Sequence, residues 1–355
     1  MISAKETKID LKDLDVQETE KWIEKLGLEP YRGRQIRQWL FHKFSSSFDE
    51  MTNLSSSLRE LLKEKAKINH LEKIRTQVSK DGTEKYLFRL HDGQHIESVL
   101  IPERDHYTLC ISSQAGCAMG CAFCLTARQG FKRNLSPAEI VDQVIHVKRS
   151  MQEPDLLRNI VFMGMGEPLA NYYSVLRAIN NIIAEDGMNF SHRKVTLSTC
   201  GLVPMIRRLG KDTTVNLAVS LNAADDETRN LLMPVNRKYN LKSLISTCRD
   251  FPLPNRRMIT FEYILINGFN DRPEDAFNLS KLLSGLRAKI NLIPFNPIPG
   301  MEMISPSTER IMQFKNILIK KHFTAIIRKS KGQDISAACG QLSGEADPGG
   351  KDFVA

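Results

Sequence analysis

Apolar residues fall at helical spacing in the front of the chain. Glu18 to Leu26 places Trp22, Ile23 and Leu26 on one face, Gly33 to Phe44 does the same with Ile36, Trp39 and Leu40, and Ser57 to Lys67 forms a third helical segment. The period then changes. "EKYLFRL" and "QHIESVLI" are strand-like and flank His91-Asp92-Gly93, a turn sequence, so they predict a β-hairpin. From Tyr107 the pattern is strand, loop, helix, repeated. The strands expected are Tyr107–Ser112, Asn159–Met163, Lys194–Ser198, Val215–Ser220, Thr260–Ile266, Lys289–Pro294 and Thr324–Arg328. The clearest helix is "SPAEIVDQVIHVKR", with Ser136 as N-cap, Pro137 in the first turn and Glu139 closing a capping box. Strand alternating with helix implies an α/β protein with a parallel sheet, here a partial (β/α)6 TIM-like barrel. The expected layout is a helical accessory domain over 1–75, the hairpin over 76–102, the barrel over 103–342 and a disordered Gly/Pro/acid-rich tail over 343–355.

Composition narrows the partners. The 355 residues are 41% hydrophobic, enough for one large domain and a smaller one. Lys and Arg number 50 against 41 Asp and Glu, and the net charge of +9 favours a polyanion such as nucleic acid. Arg32, Arg34 and Arg37 lie on or beside the second helix, either as a solvated basic face or as phosphate contacts. No apolar run is long enough to span a membrane, and "MISAKETKIDLKDLD" has no apolar signal region. A cytoplasmic, membrane-free protein is expected. Its seven cysteines then point to metal or catalysis rather than a disulfide framework.

Three of those cysteines crowd into "GCAMGCAFC", where Cys117, Cys121 and Cys124 follow a C-x₃-C-x₂-C spacing. Structural zinc wants a closed set of four ligands, and Cys200, Cys248 and Cys339 stand alone. A [4Fe–4S] cluster held by three thiolates keeps one iron open. Such a triplet just after the first barrel strand resembles the radical S-adenosylmethionine (SAM) superfamily, in which SAM chelates the open iron. "MGMGEP" follows the next strand and resembles the superfamily's GGE-type motif, which implies that Gly166 and Glu167 contact the methionine amino group. Ser198, the run Ser220-Leu221-Asn222, and Asn296 end or follow later strands, so they share the rim where a barrel keeps its ligands.

Longer motifs narrow the resemblance. "CISSQAGCAMGCAFCLTARQGFKRNL", "FMGMGEPLAN", "VTLSTCGLVP", "VSLNA", "LLMPVN", "NLIPFNP" and "DISAACGQL" resemble the RlmN/Cfr family of radical-SAM rRNA methyltransferases, from the hairpin to Leu342. "GEP" favours the RlmN branch. Two positions depart from the usual pattern: Asn222 stands where His is common, and Ser336 where Asp is usual.

The resemblance implies methylation of C2 of adenosine in 23S rRNA, and in tRNA for some members. That carbon is electron-poor and does not attack SAM directly, so a relay is implied that uses two SAM molecules per turnover. Cys339 takes the methyl group, Glu97 removes the C2 proton, and Cys110 attacks the sulfur of Cys339 to release the product with a disulfide. From pattern alone Cys110 is a buried strand cysteine. Glu97, on a face with Val99 and Ile101, is either an edge charge or a carboxylate kept for chemistry. Cys200 and Cys248 are expected in the core. A flavodoxin or ferredoxin is implied as electron donor, acting on a monomer. Arg128, Lys132, Arg133, Arg256 and Arg257 are candidate phosphate contacts. The rivals are C8 methylation, as in the Cfr branch, and an RNA-binding module whose cysteines hold zinc.

Overall fold

The computed structural model describes residues 8–344. Ten strands form one mixed sheet: β1 (Glu72–Val78), β2 (Glu84–Arg89), β3 (His95–Pro102), β4 (Tyr107–Cys110), β5 (Leu157–Phe162), β6 (Val195–Thr199), β7 (Asn216–Ser220), β8 (Ile259–Leu265), β9 (Ala288–Pro294) and β10 (Thr324–Ile327). Every strand lies beside its neighbours in sequence, from β1 at one edge to β10 at the other. β1 to β4 are antiparallel, and β4 to β10 are parallel. The inner parallel strands are largely buried, whereas β10, at the sheet edge, leaves Thr324 and Ile326 exposed. In β8 and β9 the register holds for seven pairs, from Ile259 with Ala288 to Leu265 with Pro294.

Helices α1 (Val16–Lys25), α2 (Tyr31–Phe41) and α3 (Ser56–Lys65) precede the sheet. Six more, α4 (Pro137–Ser150), α5 (Tyr172–Ile183), α6 (Val203–Asp212), α7 (Leu241–Asp250), α8 (Pro273–Leu282) and α9 (Thr308–Lys320), each cross between successive parallel strands. The result is six strand–helix units and a seventh parallel strand. α4 has the expected capping box between Ser136 and Glu139, and it buries Ile140, Val141, Val144 and Ile145.

The front helices share one hydrophobic core with the sheet. Buried ion pairs fasten the two parts. The Lys12 ammonium lies 2.5 Å from Asp142 of α4, whose other oxygen accepts the Leu71 amide at 2.6 Å. Arg37 donates to Asp186 at 3.0 Å and to Asn181 at 2.9 Å. Arg37 is therefore a buried strut and no phosphate contact. β1 is absent from the sequence reading because "EKIRTQV" is exposed or half-exposed throughout and has no apolar face. Ser343 and Gly344, placed in the expected tail, are packed against β3; the remainder of that tail, from 345, lies outside the described residues. No helix among the described residues is long and apolar enough to cross a membrane.

Candidate active site

The sheet curls round one cavity at the C-terminal ends of its parallel strands. Val99 and Ile101 of β3, Cys110 of β4, Ser198 of β6, Ser220 of β7, Glu262 and Ile264 of β8 and Ile293 of β9 all face it. Six of the seven cysteines line it, and Cys248 lies in the core instead. Cys200 is buried in a hydrophobic cluster, as expected, and also forms part of the cavity wall beside Glu167, where its amide donates to Glu167 Oε2 at 2.7 Å.

The triplet loop leaves a two-stranded ribbon, Gln114–Gly116 paired with Phe131–Asn134. Gly116 has φ +71, and a Cβ there would stand 1.9 Å from the Gly130 carbonyl oxygen, so only glycine fits. The Cys117 amide donates to that oxygen at 3.2 Å, and the Ala122 amide donates to Leu232. These bonds turn Cys117, Cys121 and Cys124 toward the cavity. Burial pushes the Cys117 thiol up to about 11 and raises the other two as well, so thiolates here need the positive charge of a metal. No group of three or more His, Cys, Asp or Glu among the described residues is set close enough for a single ion. Three thiols lining one cavity supply the donor set of a cluster that keeps one iron open.

The expected SAM contacts divide into two groups. Gly166, Glu167, Ser198, Ser220 and Asn222 line the cavity. Gly166 has φ +95, and a Cβ there would lie 2.5 Å from Gln114. Glu167 is buried, which raises its pKa, and its carboxylate accepts the Leu169 and Cys200 amides at 3.0 and 2.7 Å. Ser198 donates to Glu262 at 2.7 Å. Leu221 and Asn296 are not on the wall. The Leu221 side chain is in the main core, and Asn296 acts one step away by donating to the Cys339 carbonyl at 3.0 Å. Asn222, at φ +58, accepts the Ile264 amide at 2.9 Å.

Cys110 and Cys339 share this cavity, with Arg328 facing both. Burial pushes the Cys110 thiol up to about 12 and raises Cys339 too, while Arg328 pulls both the other way. Cys339 lies on a strap, residues 332–344, whose only regular element is the 3-10 turn Gln333–Ile335. Glu97 is buried against the end of that strap: its Oε2 accepts the Ser343 and Gly344 amides at 2.7 and 3.0 Å, and its Oε1 lies 3.0 Å from the Lys85 ammonium. The surroundings of Glu97 are thus less apolar than its strand neighbours Val99 and Ile101 imply.

Known proteins match along nearly the whole chain. Residues 9–68 fit the ribosomal RNA large subunit methyltransferase N-terminal domain, and residues 111–279 fit the Radical SAM superfamily. The dual-specificity RNA methyltransferase RlmN of Syntrophus aciditrophicus is 54% identical over 339 residues, which is 96% of this chain and 97% of that protein. The chain belongs to the RlmN family. An RlmN of Geobacter sulfurreducens is also 54% identical, over 96% of this chain and 94% of its own. The crystal structure of a radical SAM methyltransferase from Sphaerobacter thermophilus superposes with a TM-score of 0.90 at 44% identity, covering 95% of this chain and 100% of that one. The protein is therefore a radical SAM RNA methyltransferase, and its cofactors are a [4Fe–4S] cluster and SAM.

As a member of the RlmN family it has polar groups that pattern reading missed. Arg328 and Glu262 meet in the cavity, 3.9 Å apart, and Lys85 meets Glu97 from the neighbouring strand. Among the candidate phosphate contacts, Arg128 and Lys132 are exposed beside the triplet loop. Arg133 is tied to Asp92 at 2.5 Å and to Glu139 at 2.8 Å. Arg257 donates to the Thr214 carbonyl at the N-terminal end of the parallel strands, so Arg256 and Arg257 lie at the opposite end from the cavity.

Proposed function

We propose that the protein methylates C2 of adenosine in 23S rRNA and in tRNA, with the methyl group carried on Cys339. The observation that carries this reading is the meeting of Cys110 and Cys339 in the cavity of the three clustered thiols, with Glu97 against the Cys339 strap. Cys117, Cys121 and Cys124 would hold the cluster, and Gly166, Glu167, Ser198, Ser220 and Asn222 surround the space for SAM. When bound, cluster and SAM supply the methyl group and the one-electron chemistry that makes its carbon reactive. The sulfur of Cys339 accepts and presents that carbon. Glu97 takes the proton from C2 once the carbon is joined to the base. The Cys110 thiolate attacks Cys339 Sγ, a sulfur–sulfur bond forms, and the sulfur–carbon bond breaks with its electron pair passing into the adenine ring, after which the carbon takes up a proton and the base leaves with a methyl group. The adenine must be unpaired or flipped to enter. Residues 1–75 serve as the RNA-binding accessory domain, 103–342 as the catalytic core, and a flavodoxin or ferredoxin supplies electrons.

The test is incubation of the anaerobic protein with SAM, reductant and protein-free 23S rRNA or tRNA, then nuclease digestion and mass spectrometry. 2-Methyladenosine is expected from both RNAs. 8-Methyladenosine, or no methylated adenosine, overturns the reading. Cys110→Ala should accumulate an RNA adduct on Cys339 that survives denaturing electrophoresis and shifts with nuclease. Cys339→Ala should form neither methyl-protein nor adduct.

A further inference from the structure

Lys85 has no part in the chemistry above, yet it is a buried lysine at the junction of the base and the methyl carrier. β2 pairs Lys85 with Val99 and Leu87 with Glu97, so Lys85 shares the cavity-side face with Glu97. Its side chain is only 7% exposed. The ammonium lies 3.0 Å from Glu97 Oε1 and donates to the Ser336 carbonyl at 3.3 Å. One cation therefore touches both the carboxylate and the strap that bears Cys339.

The two oxygens of Glu97 are held differently. Oε1 faces an ammonium rooted in a strand that is paired on both sides. Moving it would leave a buried charge without a partner, which is costly. Oε2 faces two backbone amides at the end of the strap, and amides can exchange a carboxylate for water at little net cost. Oε2 is thus the oxygen that can be freed.

We propose that Lys85 is the positioning residue of Glu97. It anchors Oε1 so that Oε2 receives the C2 proton after the Ser343–Gly344 turn moves aside, and its contact with Ser336 keeps Cys339 in register with that oxygen. The proton passes from C2 to Oε2 while its electron pair stays with the ring, and the carboxylate becomes a neutral acid. The inference rests on the reading of Glu97 as the base.

The test uses the full-length, cluster-loaded protein with protein-free 23S rRNA, following methyl-Cys339 by peptide mass spectrometry and the RNA adduct on denaturing gels. Lys85→Met should load Cys339 and form the adduct as the unmodified protein does, but release product about tenfold more slowly or worse, as expected for a lost bond between charged partners. Lys85→Arg should restore most of the release rate. Should Lys85→Met lose its cluster, Lys85→Gln carries the same comparison. Glu97→Gln separates the two readings. If it releases product normally, Glu97 is not the base. If it stalls while Lys85→Met releases at the normal rate, Lys85 has no positioning role. Loss of methyl-Cys339 and adduct together in both Lys85→Met and Lys85→Gln would reduce Lys85 to a support for the strap and overturn the proposal.

Discussion

At the scale of single residues the cavity is short of positive charge. Among the described residues lining it, Arg328 is the only Lys or Arg, and its guanidinium stands 3.9 Å from Glu262. Burial raises the thiols of Cys110 and Cys339, and Arg328 opposes that rise. The thiolate is the nucleophile. Arg328→Met should therefore slow methylation of Cys339 by about tenfold, as expected when the one nearby cation that favours the thiolate is removed. Raising the pH should recover part of the rate, since it repopulates the thiolate. Transfer of isotopically labelled methyl from SAM to the Cys339 peptide reports both effects, and an unchanged rate would remove Arg328 from thiol activation. The two departures from the family pattern also have a local setting: Asn222 and Ser336 both sit at positive φ, +58 and +52. Asn is one of the few non-glycine residues that tolerate that region, and Asn222 is held there by accepting the Ile264 amide of β8 at 2.9 Å.

At the scale of elements, α4 joins the front helices to the barrel through Asp142. Burial alone would raise this carboxyl, but the Lys12 ammonium, His70 and the Leu71 amide outweigh it and lower the pKa from 3.8 to about 2. A carboxyl lowered by folding stabilises above its unfolded value and loses that contribution as pH falls through the folded one. The window is therefore pH 3.8 down to about 2, and the contribution is about 2 kcal/mol. Thermal melting across that window should show the loss. Asp142→Asn should lack that part of the acid limb and start lower by about 3–5 kcal/mol, because Lys12 is left buried without its counter-charge. A variant as stable as the original at neutral pH would refute the fastening role.

The core elements were legible because most parallel strands carry a short apolar stretch bounded by turn residues and α4 announces itself by Ser136, Pro137 and Glu139. β1 was not, since an edge strand exposed along its length has no alternation. The Gln114–Gly116 ribbon is too short to show a period. The site was legible where chemistry sets spacing, as in the cysteine triplet. It was not where distant chain converges: nothing in the sequence beside Lys85 marks it, Arg37 fits a solvated basic face or a phosphate contact equally well, and Arg328 simply ends an expected strand. Their partners lie at positions 97, 186 and 262, beyond any local pattern.

At the scale of the whole molecule the Cys339 strap is held from three sides besides its contacts with Glu97 and Lys85. Asp81 accepts the Gly332 amide at 3.1 Å, and Asp334 accepts the Ser79 hydroxyl at 2.5 Å, both from the β1–β2 turn. The segment after β9 supplies Asn296, bonded to the Cys339 carbonyl, and the Pro297 carbonyl, which accepts Gln341 at 2.7 Å. The helical turn after the triplet supplies the third hold: the Leu125 amide donates to the Gly340 carbonyl at 2.8 Å, and the Thr126 hydroxyl donates to the Leu342 carbonyl at 2.6 Å. Cys124 immediately precedes that turn, so the cluster ligands and the methyl carrier are mechanically joined. Losing the cluster should loosen the strap without unfolding the sheet. Hydrogen exchange of the amides from Ala337 to Leu342 should speed up in Cys121→Ala, while those of β8 and β9 stay protected. Thr126→Val removes one of the two bonds and keeps the cluster, so a smaller acceleration of about fivefold is expected from a single hydrogen bond. Cys339 methylation should fall in the same order in the two variants. Equal exchange of the strap with and without its cluster would show that the hairpin and the segment after β9 hold Cys339 by themselves.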